Sequence, residues 1–313
     1  MSTQTIFADT AIPHRKSELG HRALLGFGYI LAAALILAVL FYGFDYYRLD
    51  LEHRPLSPKH LALKPSGTVG LKLGILGLSM FAVIYLYPIR KRWAWLQRQG
   101  NSKHWLDFHV LLGLAAPFVI ALHAAFKFHG IAGMAYWLMM AVSLSGVAGR
   151  YLYGQIPRRV NSAELSLKES RDLQAELVQR LSAQKLIREA DLTPLFRMPT
   201  AQEVAQLPLL ACIGRMMLLD LARPFRIAGL RWRQVSVLQG MASLGGLFAT
   251  SHKDLEAIID LAREQARLSK RILFFSRAQQ VFHLWHVVHK PFSYSFGVLA
   301  VLHIAVVWVL GYI

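Results

Sequence analysis

His109 and His123 stand fourteen residues apart in an otherwise apolar stretch, and His289 and His303 repeat that spacing near the end of the chain. Imidazole is costly to place in hydrocarbon and is also the common axial ligand of haem iron, so intramembrane histidines predict a functional site. Each helical residue turns by about 100°, so fourteen steps return a side chain nearly to the same face, about 21 Å further along the axis. Two such helices facing each other predict two b-type haems, each held between two histidines and stacked through a bilayer. A single buried histidine is explained as well by an interhelical hydrogen bond. The duplicated spacing is what favours metal ligation by His109, His123, His289 and His303.

The elements that must carry these residues are membrane spans. The chain has 313 residues, 55% of them hydrophobic, and a positive mean hydropathy of +0.37, which is too apolar for an ordinary soluble globule. Leu24 to Phe44 is uncharged and long enough to cross a bilayer. No small-residue cleavage site follows it, so it reads as an anchor. Leu73 to Ile89 is a second span, bounded by Lys72 and Arg90-Lys91-Arg92, with Trp93 and Trp95 suited to an interfacial belt. Trp105 to Phe126 is the third and holds the first histidine pair. A turn with Gly130 and Gly133 leads to a fourth ending near Tyr153, and the fifth starts near Val288. The predicted organisation is an N-terminal segment over 1–23, four spans over 24–154, a helical insertion over 155–278 and a last span over 279–313. The fold class is therefore an all-α, polytopic membrane helix bundle with five transmembrane helices and a helical cytoplasmic insertion.

The net charge of +17 lies mainly beside the apolar spans. Lipid headgroups or an acidic partner explain it better than nucleic acid, which is not expected as a partner. Arg15, Lys16 and Arg22, then Arg90 to Lys103, then Arg158 and Arg159 fall on one side of five spans. That side is predicted to be cytoplasmic in the inner membrane, with the N-terminus inside and the C-terminus outside. The lone cysteine, Cys212, excludes an intrachain disulfide and any all-cysteine cluster made by this chain alone. The insertion carries 19 Lys/Arg and 12 Asp/Glu. Helix starts are predicted at Asn161, Thr200 and Ser251, the second from Thr200-Ala201-Gln202-Glu203, and interruptions at Pro194, Pro208 and Pro224. No GxGxxG follows a strand and no GxxxxGK[ST] occurs, so a nucleotide-binding domain is not expected here.

Several residues qualify the site. Pro291 sits two residues after His289, and a kink there would let His286 or His283 replace it as ligand. Arg150 is a candidate partner of haem propionates, or an interfacial anchor, as is Lys290. Asp107 is either a second contact for His109 or an interfacial carboxylate. Gly113, Ala115, Ala116, Gly297 and Ala300 would let a flat macrocycle approach the backbone, or let helices pack closely.

The paired H-x13-H helices resemble the ferric-reductase-like transmembrane family, which includes NADPH oxidases and metalloreductases. The segment from Ser145 to Arg158 also looks like bacterial di-haem membrane cytochrome b subunits. The resemblance covers the spans loosely and carries over only His109, His123, His289 and His303. It implies electron transfer from a cytoplasmic donor to an outer acceptor. The oxidases' flavin and nicotinamide domain and sixth span have no counterpart here. The expected partners are therefore a separate flavoprotein or iron–sulfur protein inside, and a c-type cytochrome, quinone or metal acceptor. Whether the chain is itself an enzyme is left open. A quinone-coupled oxidoreductase using Lys127, His129 or His286 is the alternative, and a transporter or assembly factor is the third.

Overall fold

The computed structural model describes residues 11–155, 198–234 and 253–312, together with 172, 174–176 and 178–179. Among the described residues there are helices and no strand. Five helical stretches among the described residues are long and apolar enough to cross a membrane: Glu18–Tyr42, His60–Arg90, Ser102–His123, Gly130–Gln155 and Asp254–Val309. The all-α membrane bundle expected from hydropathy is present. The chain forms two compact units, Met1–Arg150 with Val287–Ile313, and Tyr151–His286.

The first unit contains α1 (Ala11–Tyr42), α2 (Phe44–Arg48), α3 (His60–Leu63), α4 (Thr68–Arg90), α5 (Ala94–Gln97), α6 (Ser102–His123) and most of α7 (Gly130–Gln155). Helix α1 begins well before the apolar run at Leu24. Pro13 stands in its first turn, where a missing N–H is tolerated. Contacts with α6 hold its polar part: Glu18 accepts from Lys103 Nζ at 2.6 Å, and His21 Nε2 meets Asp107 Oδ2 at 3.1 Å. Asn101 caps α6 by accepting from the Lys103 N–H at 3.0 Å.

Between helices in lipid, close packing replaces the hydrophobic drive, and small residues permit it. Leu73 and Met80 of α4 pack with Ala115, Ala116, Val119 and Leu122 of α6, and Ala32 and Ile36 of α1 close the cluster. At Gly77 a Cβ would stand 2.3 Å from Ile120 Cδ1. Pro117 lies inside α6 and cannot donate to the Gly113 carbonyl one turn back. Ser143 Oγ of α7 donates to that carbonyl instead, at 2.7 Å, which restores the bond lipid could not supply.

The second unit contains α8 (Ala201–Gln206), α9 (Leu209–Gln234) and the first part of α10 (Lys253–Val309). The capping box at Thr200 forms as its sequence predicts: Thr200 Oγ1 accepts from the Glu203 N–H at 3.2 Å, and Glu203 accepts from the Thr200 N–H at 3.1 Å. The expected helix starts at Asn161 and Ser251, and the interruption at Pro194, lie outside the described residues. Helix α9 continues through Pro224, which does not interrupt it. Cys212, Met216 and Leu219 of α9 pack on Phe274 and Ala278 of α10, while Ile227 and Leu230 pack on Ile258, Ile259 and Ala262. The order of these contacts makes the two segments antiparallel. Asp220 accepts from Tyr151 Oη at 2.7 Å and from Lys270 Nζ. Arg231 pairs with Glu256, so the charges inside this unit are matched.

Candidate functional site

The acceptors of the α6 histidines lie on α4 and come from two different backbone devices. His109 Nδ1 is 3.1 Å from the Ile84 carbonyl oxygen, and His123 Nδ1 is 2.8 Å from the Gly70 carbonyl oxygen. A carbonyl only accepts, so both rings carry their proton on Nδ1 and place the lone pair on Nε2. The Ile84 carbonyl is available because Pro88, four residues on, has no N–H for it. The Gly70 carbonyl is reachable because residue 74 is glycine. A Cβ on Gly74 would stand 2.7 Å from His123 Cε1. The acceptors are fourteen residues apart on α4, matching the histidine spacing on the helix packed against it.

His289 and His303 share one face of α10. His289, Ser293, Phe296, Ala300 and His303 are buried or half-buried, whereas residues 290–292, 294–295, 298 and 301–302 are exposed, and their spacing of four, three, four and three defines one stripe. Phe296, midway, packs edge-on against Phe81 of α4 with ring centroids 4.8 Å apart. Ser145 Oγ of α7 donates to the Val142 carbonyl at 2.8 Å, so it accepts from His289 Nδ1 at 2.7 Å. That again places the lone pair on Nε2. No hydrogen bond to a described residue fixes His303, which interacts electrostatically with His123. Lys91, at the end of α4, interacts electrostatically with both His109 and Lys290, the neighbour of His289. Burial first, then Lys290, lowers the Lys91 ammonium below its usual value. These pairings match the parallel order of the third and fifth spans.

Helix α10 continues through Pro291 without a break. His283 is exposed, and His286 Nδ1 donates to the Phe282 carbonyl of its own turn at 3.2 Å, its ring against Phe282 and Trp285. Of the three, it is His289 that faces Ser145. Lys127 and His129, expected on the quinone-coupled alternative, are exposed in the turn before α7.

Among the described residues no hydrogen bond joins Asp107 to His109. Asp107 is buried, accepts from Arg150 Nη2 at 2.7 Å and pairs with His21. Arg150 therefore neutralises a carboxylate of the protein. His104 stacks on His21 with centroids 3.6 Å apart. The space at Gly297 is taken by Tyr85, whose hydroxyl donates to the Ser293 carbonyl at 2.5 Å and would lie 2.7 Å from a Cβ there. Ala115 and Ala116 are in the packed core. At Gly113 a Cβ would meet nothing within 4 Å.

Among the described residues no group of three or more His, Cys, Asp or Glu is placed to hold a metal ion. Haem needs only two protein ligands per iron. Imidazoles anchored at Nδ1, with the lone pair on Nε2, are the donor form such an iron takes, and His109, His123 and His289 fit it. The sequence could have revealed Pro88 and Gly74 only if the register of α4 on α6 were known. Comparison with protein-family models, curated proteins and solved structures finds no match.

Proposed function

We propose that the chain is a di-haem b-type membrane cytochrome that relays electrons across the cytoplasmic membrane. His109 and His289 bind one haem, and His123 and His303 bind the other. The observation that carries this reading is the matched anchoring of His109 and His123 on α4 carbonyls. It orients two imidazoles fourteen residues apart toward one side of α6. Held by these paired histidines, haem would supply reversible one-electron transfer. The Nδ1–H bonds of His109, His123 and His289 hold each ring in place and raise the basicity of Nε2, which favours the oxidised metal.

Charge placement supports an orientation with the His109 end inside, where a separate flavoprotein or iron–sulfur protein would donate. A c-type cytochrome, quinone or metal ion would accept outside. The test is a reduced-minus-oxidised spectrum with haem quantitation on the purified chain from haem-replete membranes. Two b haems per chain are expected, falling to one in His109→Ala or His289→Ala and to the other one in His123→Ala or His303→Ala. A wild-type chain with no b-type absorbance sinks the reading.

A further inference from the structure

We infer that Lys91 and Lys290 hold the propionate carboxylates of the haem between His109 and His289. The inference rests on the di-haem reading above. Ile84, Tyr87 and Lys91 follow one another at intervals of three and four residues, and seven helical steps return to within about 20° of the starting face. Ile84 supplies the carbonyl that accepts from His109 Nδ1 at 3.1 Å. The Tyr87 ring lies 5.2 Å from the His109 ring, and Lys91 Nζ stands 4.8 Å from the Tyr87 ring centroid. Lys91 ends α4 with a helical φ of −67° and ψ of −18°, so the stripe that faces His109 runs on to its ammonium group. Lys290 directly follows His289 on α10. The two lysines interact electrostatically, so one cation stands beside each histidine assigned to this iron.

Two ammonium groups brought together from different helices repel each other, and no described carboxylate offsets them. Residues 53–106 and 265–313, which carry the two lysines, contain neither Asp nor Glu. Glu18 and Asp107, the acids that α1 and α6 bring to this end of the first unit, are committed to Lys103 and Arg150 at 2.6 and 2.7 Å. Arg150, the propionate partner expected from the sequence, is thereby spent. Arg90 is spent as well, on the backbone carbonyls of Gln97 and Gly100 at 2.9 and 3.0 Å. Haem carries two carboxylates on one edge, and placing them beside an apolar bundle without counter-charge is costly. Two lysines with three donors each supply charge-assisted hydrogen bonds at the inner end, where that edge meets water.

The test is redox-difference infrared spectroscopy on the full haem-loaded chain, with haem isotopically labelled at the propionate carbons, alongside a redox titration. Lys91→Met and Lys290→Met are each expected to move the labelled carboxylate bands and to lower the midpoint potential of the haem on His109, because a nearby cation favours the reduced state. Lys91→Arg is expected to restore the potential. Arg92→Met, one residue round the helix from the stripe, is expected to leave the labelled bands in place. Unmoved bands in both lysine variants, with two haems still bound, overturn the inference, because the lysines then face lipid phosphate or water. Loss of the haem on His109 from both Lys91→Met and Lys91→Arg overturns it too, because shape and not charge is then what Lys91 supplies. Loss from Lys91→Met alone supports it. A wild-type chain without b-type absorbance sinks the di-haem reading itself, and that is read before any variant is made.

Discussion

Gly74 of α4 lies against the imidazole of His123 so closely that a Cβ would stand 2.7 Å from Cε1 and 2.8 Å from Nδ1. Gly74→Ala must displace the ring from the Gly70 carbonyl, at a cost of about 1–3 kcal/mol for overpacking. The expected outcome is loss of one haem or a shifted midpoint potential for it, read by redox titration with haem quantitation. Gly146→Ala is the control, since a Cβ there meets His289 Cε1 at an ordinary 3.8 Å.

Pro88 leaves the Ile84 carbonyl to His109. Pro88→Ala supplies a helical N–H that competes for that carbonyl, and it also removes an interior proline worth about 3 kcal/mol of helix stability. Two opposite-looking effects are expected together: a higher unfolding temperature, and a higher midpoint potential for the haem on His109 because its Nε2 becomes less basic. An unchanged potential in the variant would show that the Ile84 contact does not tune the ligand.

Arg54 is buried and has three backbone acceptors. It donates through Nε to the Leu49 carbonyl at 3.0 Å, through Nη1 to that of Ala125 at 2.5 Å and through Nη2 to that of Tyr47 at 3.1 Å. Ala125 and Phe126, just past His123, hold φ of 47° and 59°, a left-handed turn that non-glycine residues adopt only when held. Arg54→Met strands those carbonyls and is expected to cost about 3 kcal/mol. Thermal unfolding in detergent measures it, and the haem of His123 should be released before the other.

Tyr47 carries a buried hydroxyl with no partner among the described residues. Burial, then the neighbouring Tyr46, pushes its phenol up to about 12. A folded value above the unfolded one of about 10 means that this contribution to stability is complete below pH 10 and lost as pH rises toward 12. Tyr47→Phe is expected to flatten the stability curve over that window. It should also add about 1 kcal/mol at neutral pH by removing an unsatisfied polar group. Melting temperatures of both proteins at stepped pH check the sign.

Much of the bundle is legible in the chain because hydropathy and helical period are local properties. The five spans, the Thr200 capping box and the common face of His289 and His303 each follow from residues a few turns apart. The extension of α1 back to Ala11 was not legible, because its anchors, Lys103 and Asp107, are more than eighty residues away. The expected interruption at Pro224 likewise fails, because α9 runs on through it, and α10 runs on through Pro291.

The same division holds at the site. Sequence alone determined that four histidines stand in apolar helices at intervals of fourteen, because that interval is a whole number of turns to within a small angle. Tertiary structure alone decided that Ile84, Gly70 and Ser145 receive their Nδ1 protons, that Asp107 serves His21 and Arg150, and that Tyr85 fills the space at Gly297. Those outcomes depend on which turn of one helix lies against which turn of the next, and that register is set by packing around Gly74 and Gly77, not by any periodicity within a single helix.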